Sequence, residues 1–509
     1  MSVNRAVLPA TLYTAEQTRV LDSTAINEFG IPGIRLMQRA GHAVFAEMLD
    51  RFPNVTAITI VCGAGNNGGD GFVVALLAKQ KGLDVQLICV GDERFPLTLK
   101  GEALAAWQQL QSIYPSYELY RPGMSFRGGL LVDAMLGTGL SGKVHGLFYT
   151  AIEQFNASTK AVVSVDIPSG LCADTGGVLG VAVHADITIS FIGMKRGLLT
   201  GQAVDYCGTL LFDDLKVPDE VYEAVPVNLF RTTEEDLGEC LPPRSKSSHK
   251  GRFGHLLVVG GDHGMGGAAL LASEAAMRSG AGLVTLATRS EHVRASLSRC
   301  PEIMVKGVDS SAQLQPLLDK VDVIIAGPGL GQNAWAEQML FTALGAGKPM
   351  VLDADALNLM VGKNLFSQFE LKQRNKWLCT PHPGEAARLL GETVNDIERD
   401  RFDAVERLQI VCGGAVVLKG SGSLVSAGDA SYLCSAGNPG MSVGGMGDVL
   451  SGICGAFMAQ KMSPENAARI AVYVHATAAD YIAQSQGEIG MLASDLFLTI
   501  PKVINGQYE

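Results

Sequence analysis

From residue 15 to residue 49 the apolar positions recur at helical spacing, broken once by the turn Gly30-Ile31-Pro32-Gly33, so two helices are predicted to lead the chain. Short β-branched runs follow at residues 57–61, 85–90, 130–132, 161–165 and 187–191, separated by segments long enough for crossover helices. Runs of this kind, apolar without strict alternation, belong to parallel strands buried on both faces. A second series of the same character occupies 255–259, 283–287, 321–326, 349–352, 376–379 and 415–418. A polar loop at 435–447 then opens a helix expected from Asp448 to about Ala459. Between the two series, residues 217–251 carry Pro218, Pro226, Pro242 and Pro243, a Ser/Lys run and little strand periodicity. The boundary is expected at 222–227, giving domains at 1–222 and 227–509. No internal repeat relates the halves. The fold class that results is α/β, with two different three-layer α/β/α domains.

Length and charge narrow the picture. A chain of 509 residues exceeds what one core serves, and 47% hydrophobic content leaves no compositional sign of disorder. A net charge of -11 excludes a general nucleic-acid binder, because phosphate backbones are held by clustered Lys and Arg; the basic stretch from Arg244 to Lys250 reads as linker charge. Ten scattered cysteines with no C-x-x-C pair suggest neither a zinc site nor a disulfide framework, but reduced and mostly buried thiols. Residues 1–13 lack a continuous apolar core after their early Arg, and no run approaches the ~20 apolar residues of a membrane span, so a cytoplasmic protein without a membrane partner is expected.

The candidate chemistry sits at strand ends. After the first strand, Gly63, Gly65 and Gly68 form a G-x-G-x-x-G turn, a weak signal alone. Asn66, Asn67 and Asp70 crowd polar groups into it, and later strands run into Asp133 and into Asp166-Ile167-Pro168-Ser169-Gly170. The ligand crevice of an open parallel sheet lies at such ends, and carboxylate, amide and hydroxyl oxygens suit a hard cation better than zinc. For Asp133 by itself a helix N-cap is an equal account. The stretch Gly65-Asn66-Asn67-Gly68-Gly69-Asp70-Gly71, with the Asp133 to Gly139 and Asp166 to Gly170 segments, resembles the NAD(P)H-hydrate epimerase domain over most of residues 10–220. The resemblance implies a Rossmann-like fold. It also implies a hydrated-dinucleotide contact set of Asn66, Asn67, Gly68, Gly69, Asp70, Gly137, Thr138, Gly139, Leu140, Ser141, Gly142, Lys143 and Asp166. Further, it implies potassium at Asn67, Asp133 and Ser169, with Asp166 as acid/base.

In the second half the strongest signal is the run from Gly437 to Gly452, with Gly444-Gly445-Met446-Gly447-Asp448 at its centre. Glycines at a helix start expose N–H groups to a transferring phosphoryl group, and an aspartate there can accept a hydroxyl proton. An Asp N-cap on a Gly-rich turn is the bland alternative. Other strand-end loops accompany it: Gly327 to Gly331, Asp353 to Asn358, Thr380 to Glu385 and Lys419 to Ser423. Taken singly, His382 would be a packed or capping histidine, and Asp353 and Asp355 solvated carboxylates. Together the loops resemble the ADP-dependent NAD(P)H-hydrate dehydratase, a ribokinase-like family, over about residues 227–507. That resemblance implies nucleotide contacts at Lys419, Gly420, Ser421, Gly422, Ser423, Gly444, Gly445, Met446 and Gly447. Hydrate contacts would be Ala268, Gly329, His382 and Asp448, with Asp448 catalytic. The loop Gly264-Met265-Gly266-Gly267 before Ala268 departs from the commoner proline-bearing version.

The two resemblances together imply repair of NADHX and NADPHX: epimerisation of R and S hydrates, then dehydration of the S form at the expense of ADP. They imply ADP as phosphoryl donor, potassium in the first domain, magnesium in the second, and a homo-oligomer. Two rival readings differ in class. One is a small-molecule kinase with a dinucleotide-sensing N-terminal domain; the other is a Rossmann dehydrogenase, for which Asp92 stands near the end of the second strand.

Overall fold

The computed structural model describes residues 8–507, so the start of the N-terminal segment considered above, residues 1–7, lies outside the described residues. The chain divides into two compact units between Val227 and Asn228.

The first unit opens with helices Ala15–Asn27 and Gly33–Arg51. Its strands are β1 (Ala57–Cys62), β2 (Asp84–Cys89), β3 (Glu118–Leu119), β4 (Leu130–Ala134), β5 (Ala161–Val165), β6 (Ile187–Phe191) and β7 (Thr209–Asp213). They form one parallel sheet in the order β3-β2-β1-β4-β5-β6-β7. The apolar strands serve two cores by period-two alternation. Ile58, Ile60, Leu130, Val132 and Val163 enter one cluster. Val61, Leu131 and Val162 enter another. Both faces of the sheet are therefore covered, which is why these strands read as continuous apolar runs. Two strands had no legible pattern: β3 is a two-residue edge, and β7 buries only Leu211 among its five residues. Strand order reverses between β1 and β4, and that switch point opens the crevice.

The second unit begins inside the stretch expected to be irregular. β8 (Leu229–Arg231) joins its sheet, and helix Glu234–Cys240 docks through Asp236 to Arg469 at 2.7 Å. Arg244, read as linker charge, stacks on Phe253 at 3.7 Å and donates to the Gly280 carbonyl at 2.7 Å. A three-residue strand is too short to show periodicity, which is why the sequence hid it. The remaining strands are β9 (His255–Val259), β10 (Leu283–Thr288), β11 (Met304–Gly307), β12 (Val323–Ala326), β13 (Met350–Leu352), β14 (Trp377–Cys379), β15 (Ala415–Leu418), β16 (Ser423–Ser426) and β17 (Ser431–Cys434). The order is β11-β10-β9-β12-β13-β14-β15-β16-β17-β8, parallel as far as β15, continued by the antiparallel strands β16 and β17, and ended by β8 parallel to β17. Its switch point lies between β9 and β12. Leu256, Val258 and Ile325 face a core of small residues on helices Gly266–Arg278, Met446–Ala459 and Pro464–Gln486. Gly452 is required there, since a Cβ would sit 2.2 Å from the Ala272 carbonyl oxygen. The last of the expected helices starts at Met446, two residues before Asp448, with Gly445 as its N-cap at φ +93°. Ser423, expected in a loop, is the first residue of β16.

All ten cysteines are free thiols and eight are buried. Among the described residues no helix is long and apolar enough to cross a membrane.

Candidate active sites

A cavity of 760 Å³ opens at the strand ends of the first unit. Asp166 follows β5 in the left-handed region, φ +65°, a conformation Asp tolerates better than most residues but at a cost of about 1 kcal/mol or more. Its amide donates to the Ile189 carbonyl at 2.8 Å, and its carboxylate accepts from the Phe191 amide at 3.1 Å. The same oxygen pairs with the ammonium of Lys195, a residue the sequence reading did not single out. Lys195 is 1% exposed, and it also donates to Ser190 Oγ at 3.2 Å and the Phe191 carbonyl at 3.0 Å. Tyr13 bridges the segment on either side of it, through Met194 and Arg196, so the chain's first described residues hold this lysine's loop.

Asn66, Asn67 and Asp70 line the cavity, not from a loop but from the first turns of helix Asn66–Lys81, whose N-cap is Gly65. Gly68 and Gly69 serve close packing: a Cβ at Gly68 would meet the Gly63 carbonyl oxygen at 1.9 Å, and one at Gly69 would meet Met37 at 2.5 Å. Gly137, Thr138, Gly139, Leu140 and Ser141 line the cavity as well, whereas Gly142 and Lys143 are exposed beyond it. Two carboxyls in the cavity are raised. Burial, then Lys195 opposing and Asp166 and Glu102 adding, sets Asp22 at about 6. Burial, reinforced by Asp166 and Asp22 against Lys195, pushes Asp70 well above the usual carboxylate range.

Asp133 is not an N-cap. It lies within β4, fully buried, and accepts from Ser169 Oγ at 2.6 Å, the Ser169 amide at 2.8 Å and Ser164 Oγ at 2.9 Å. Burial raises its carboxyl and these hydrogen bonds oppose that, while no ion pair reaches it among the described residues. Asn67 donates to the Leu136 carbonyl at 3.1 Å, and its buried Oδ1 has no hydrogen-bond partner. Ser169 Oγ spans Asp133 and Leu136, so Asn67, Asp133 and Ser169 meet around the Leu136 backbone. Asp92, which a ribose-binding reading would need, instead pairs with Arg94 on the surface at 2.7 Å.

In the second unit Asp448 occupies the third position of its helix, so the N–H groups of Met446, Gly447 and Asp448 precede the first intrahelical bond, Val449 to Gly445 at 3.0 Å. Below them Lys419 pairs with Asp353 at 2.9 Å, and Ser451 Oγ donates to the other Asp353 oxygen at 2.6 Å. A Cβ on Gly447 would lie 3.3 Å from Lys419 Nζ, so glycine keeps the ammonium against the turn. Burial, Asp353, Asp355 and Glu385, against Lys419, raise the Asp448 carboxyl to about 7. For Lys419, burial disfavours the charge, but Asp353, Glu385 and Asp448 outweigh it and hold the ammonium above its usual pKa.

His382 is indeed a cap: its Nδ1 accepts from the Gly384 amide at 3.0 Å, which leaves the neutral ring's proton on Nε2, 3.3 Å from Glu385. Burial and the cations Lys419 and Arg388 lower its pKa. Glu385 continues to Lys419 at 3.9 Å, joining His382 to the Asp448 cluster. A Cβ on Gly329, φ +56°, would lie 3.2 Å from the Ala268 side chain at the switch point and 2.5 Å from the Met265 carbonyl oxygen. A Cβ on Gly445 would meet Leu271 of the Ala268 helix at 2.8 Å, so that pair adjoins the turn that carries Asp448. Gly420 lies over the buried Arg401 guanidinium, which contacts the Lys419 carbonyl at 3.3 Å. Gly444 is exposed at the turn. Ser423 bonds back to the Gly420 carbonyl at 3.0 Å and closes the Ser421–Gly422 turn. Arg401 and Ser451 carried no sequence signal, since both act through tertiary contacts.

The family described as YjeF-related protein N-terminus matches residues 33–197, and the family described as NAD(P)H-hydrate dehydratase matches residues 256–502. The chain is 44% identical to a bifunctional NAD(P)H-hydrate repair enzyme of Coxiella burnetii, over 97% of this chain and 99% of that one. It is 42% identical to the enzyme of that description from Escherichia coli, over 99% and 96% respectively. Among solved structures, a ribokinase-like superfamily protein of Enterococcus faecalis matches at TM-score 0.51 and 30% identity, covering 55% of this chain and 96% of its own. The second unit is accordingly ribokinase-like, and the chain as a whole belongs to the family of bifunctional NAD(P)H-hydrate repair enzymes.

Proposed function

We propose that the chain epimerises R and S hydrates of NADH and NADPH in its first unit and dehydrates the S form in its second, consuming ADP and releasing AMP and phosphate. The observation that carries this reading is similarity to bifunctional repair enzymes across both units at once. Hydroxide leaves poorly, so a kinase-like site first converts the ring hydroxyl to a phosphate ester. Asp448, raised to about 7, takes the hydroxyl proton as the β-phosphoryl group is transferred. The free N–H groups of the Met446 turn and the Lys419 ammonium stabilise the charge that develops. Phosphate then leaves, a proton is lost from the neighbouring ring carbon, and the dihydronicotinamide returns. The turn from Lys419 to Ser423, with Gly444 to Gly447, holds the adenine nucleotide, while Ala268, Gly329 and His382 hold the hydrate.

Magnesium is part of the proposal. The mutual repulsion of Asp353, Asp355, Glu385 and Asp448 marks a negative field that a divalent cation carried on phosphate oxygens would relieve. Bound there, it would neutralise phosphoryl charge. In the first unit, the unpartnered Asn67 Oδ1 and the buried, unpaired Asp133 fit a monovalent cation such as potassium, which would rigidify the Leu136 to Ser141 wall. Asp166, held by Lys195, serves as acid/base. The ten free thiols support a reducing, cytoplasmic compartment, and self-association belongs to the same proposal, read by sedimentation velocity.

The test is recovery of NADPH absorbance from mixed hydrates, with and without ADP. Complete recovery of both epimers that requires ADP supports the reading. Accumulation of a phosphorylated hydrate would make the second unit an ordinary kinase.

A further inference from the structure

The first cavity contains more acid than the Asp166–Lys195 pair uses. Asp70 lines it together with Asp166 and Lys195. The residue projects from the first turns of helix Asn66–Lys81, fixed at the end of β1, whereas Asp166 follows β5. Strand β4 lies between those two strands, so the two carboxylates reach the cavity from different strand ends. Their partners differ as well. Asp166 is held by Lys195 and the Phe191 amide, while no hydrogen bond or ion pair reaches the Asp70 carboxylate among the described residues.

We propose that Asp70 is a second catalytic group of the epimerase cavity, the proton donor to the departing ring hydroxyl, working opposite Asp166. The proposal rests on the epimerase reading above. Its chemistry follows from where water adds to a dihydropyridine: the oxygen takes the carbon beside the ring nitrogen, because the nitrogen lone pair stabilises positive charge there. Inverting that carbon means breaking one of its bonds and remaking it from the other face. Asp70 gives its proton to the hydroxyl, the C–O bond breaks with its electron pair leaving on water, and the nitrogen lone pair forms a C=N iminium. A water then attacks the opposite face, a new C–O bond forms, and the surplus proton passes to Asp166. One water leaves and one enters, and nothing is oxidised or reduced. The enzyme is left with Asp70 ionised and Asp166 protonated, which is the state that runs the reverse inversion with the roles exchanged. A raised Asp70 carboxyl suits the donor, since burial and the neighbouring Asp166 and Asp22 favour its protonated form.

The experiment uses the full chain, purified R-NADPH hydrate and heavy-oxygen water, with epimers separated by chromatography and oxygen content read by mass spectrometry. Wild type should gain one solvent oxygen per inversion. Asp70→Asn should lose inversion by about 10²- to 10⁴-fold in both directions, the range for a lost acid or base, while hydrate binding stays within roughly threefold. Asp70→Glu, which restores a carboxyl, should recover part of the rate, and that comparison holds even where the amide variant is poorly folded. ADP-dependent dehydration of the S hydrate should be unaffected in every variant. Inversion that retains the original oxygen, Asp70→Asn within roughly threefold of wild type, or loss of inversion in Asp22→Asn alone would each overturn the proposal. Failure of the epimerase reading looks different: the wild-type protein itself would invert no faster than buffer.

Discussion

Each unit sets a lysine against an aspartate at the end of a parallel strand, and the two pairs are built in opposite senses. In the first unit the lysine is the buried partner, 1% exposed, and its aspartate, Asp166, looks into the cavity. In the second the aspartate is the buried partner, Asp353 at 1%, and the lysine, Lys419, comes up beneath Gly447 and the turn that carries Asp448. Pairing fixes a carboxylate in place, as Lys195 does Asp166. A carboxylate without such a partner is instead driven upward by burial, with neighbouring carboxylates adding, as Asp448 is, to about 7, where it can exchange a proton near neutrality. The comparison separates carboxylates that a lysine fixes from carboxylates that burial and their neighbours poise.

The largest effect expected on this account is at Asp448. Asp448→Asn should lower ADP-dependent dehydration by roughly two to four orders of magnitude while nucleotide binding and epimerisation persist. The wild-type rate should also climb with pH to a plateau above about 7, because a base acts only when ionised and this one titrates there. A flat profile from pH ~5 to ~8 would take Asp448 out of the base role.

Removing one member of either lysine pair should come next, at about 3–5 kcal/mol, the cost of leaving a buried charge alone. The inverse geometry orders the variants. Lys419→Met strands Asp353, whose side chain is 2% exposed and keeps only the Ser451 hydrogen bond among those resolved, so it should fall at the upper end. Lys195→Met strands Asp166 at 16% exposure, still facing the cavity and the Phe191 amide, and should cost less. Asp166→Ala reverses that, because it strands the 1% exposed lysine. Urea unfolding of the three variants reads the order; equal losses would mean that burial of the survivor does not govern the cost.

How far the sequence foresees this depends on the range of the interactions. The parallel strands were legible because each is buried on both faces and carries its own apolar run, as β4 and β12 do. The loops holding Asp166 and Asp448 were legible because their glycines and polar residues are contiguous. Lys195 was not, standing 29 residues beyond Asp166 with nothing local to mark it; the pairing of β5 with β6, the left-handed turn at Asp166 and the Tyr13 bridge bring the two together. The helix start at Met446 was disguised because Gly445 caps it with its backbone, leaving no polar cap to read. The strands β3 and β8 are too short for any pattern.

The hydroxyls that support the two pairs give a smaller contrast. Ser451 lies 2.6 Å from Asp353 with both groups buried, so Ser451→Ala should cost about 1.5–3 kcal/mol, as expected for a hydrogen bond to a charged acceptor. Ser190 reaches Asp166 only at 3.4 Å and accepts from Lys195 at 3.2 Å, so Ser190→Ala should cost about 1 kcal/mol or less. Larger loss at Ser190 than at Ser451, measured by the same unfolding assay, would break the distinction between the two settings.

An effect as small as that at Ser190 is expected as a gain. Asp448 has a folded-state pKa near 7 against 3.8 for the free side chain, so the folded protein holds that proton more tightly than the unfolded chain does. The linkage is then fixed in sign: below the free value both states are protonated and Asp448 costs nothing, and stability is lost as pH rises towards and through 7. Asp448→Asn removes the titration. It leaves the cap untouched, because Gly445 occupies that position and Asp448 lies inside the first turn. The variant should therefore be more stable than wild type at pH ~8, by on the order of 1 kcal/mol once solvent at the partly open site is allowed for, and indistinguishable from it near pH ~4. Nucleotide should be omitted, since a bound phosphate or cation changes the field at Asp448. Equal stability at both pH values would mean that burial and the carboxylates of Asp353, Asp355 and Glu385 do not strain the Asp448 charge, and the poised carboxylate of the second unit would then be no different from the fixed one of the first.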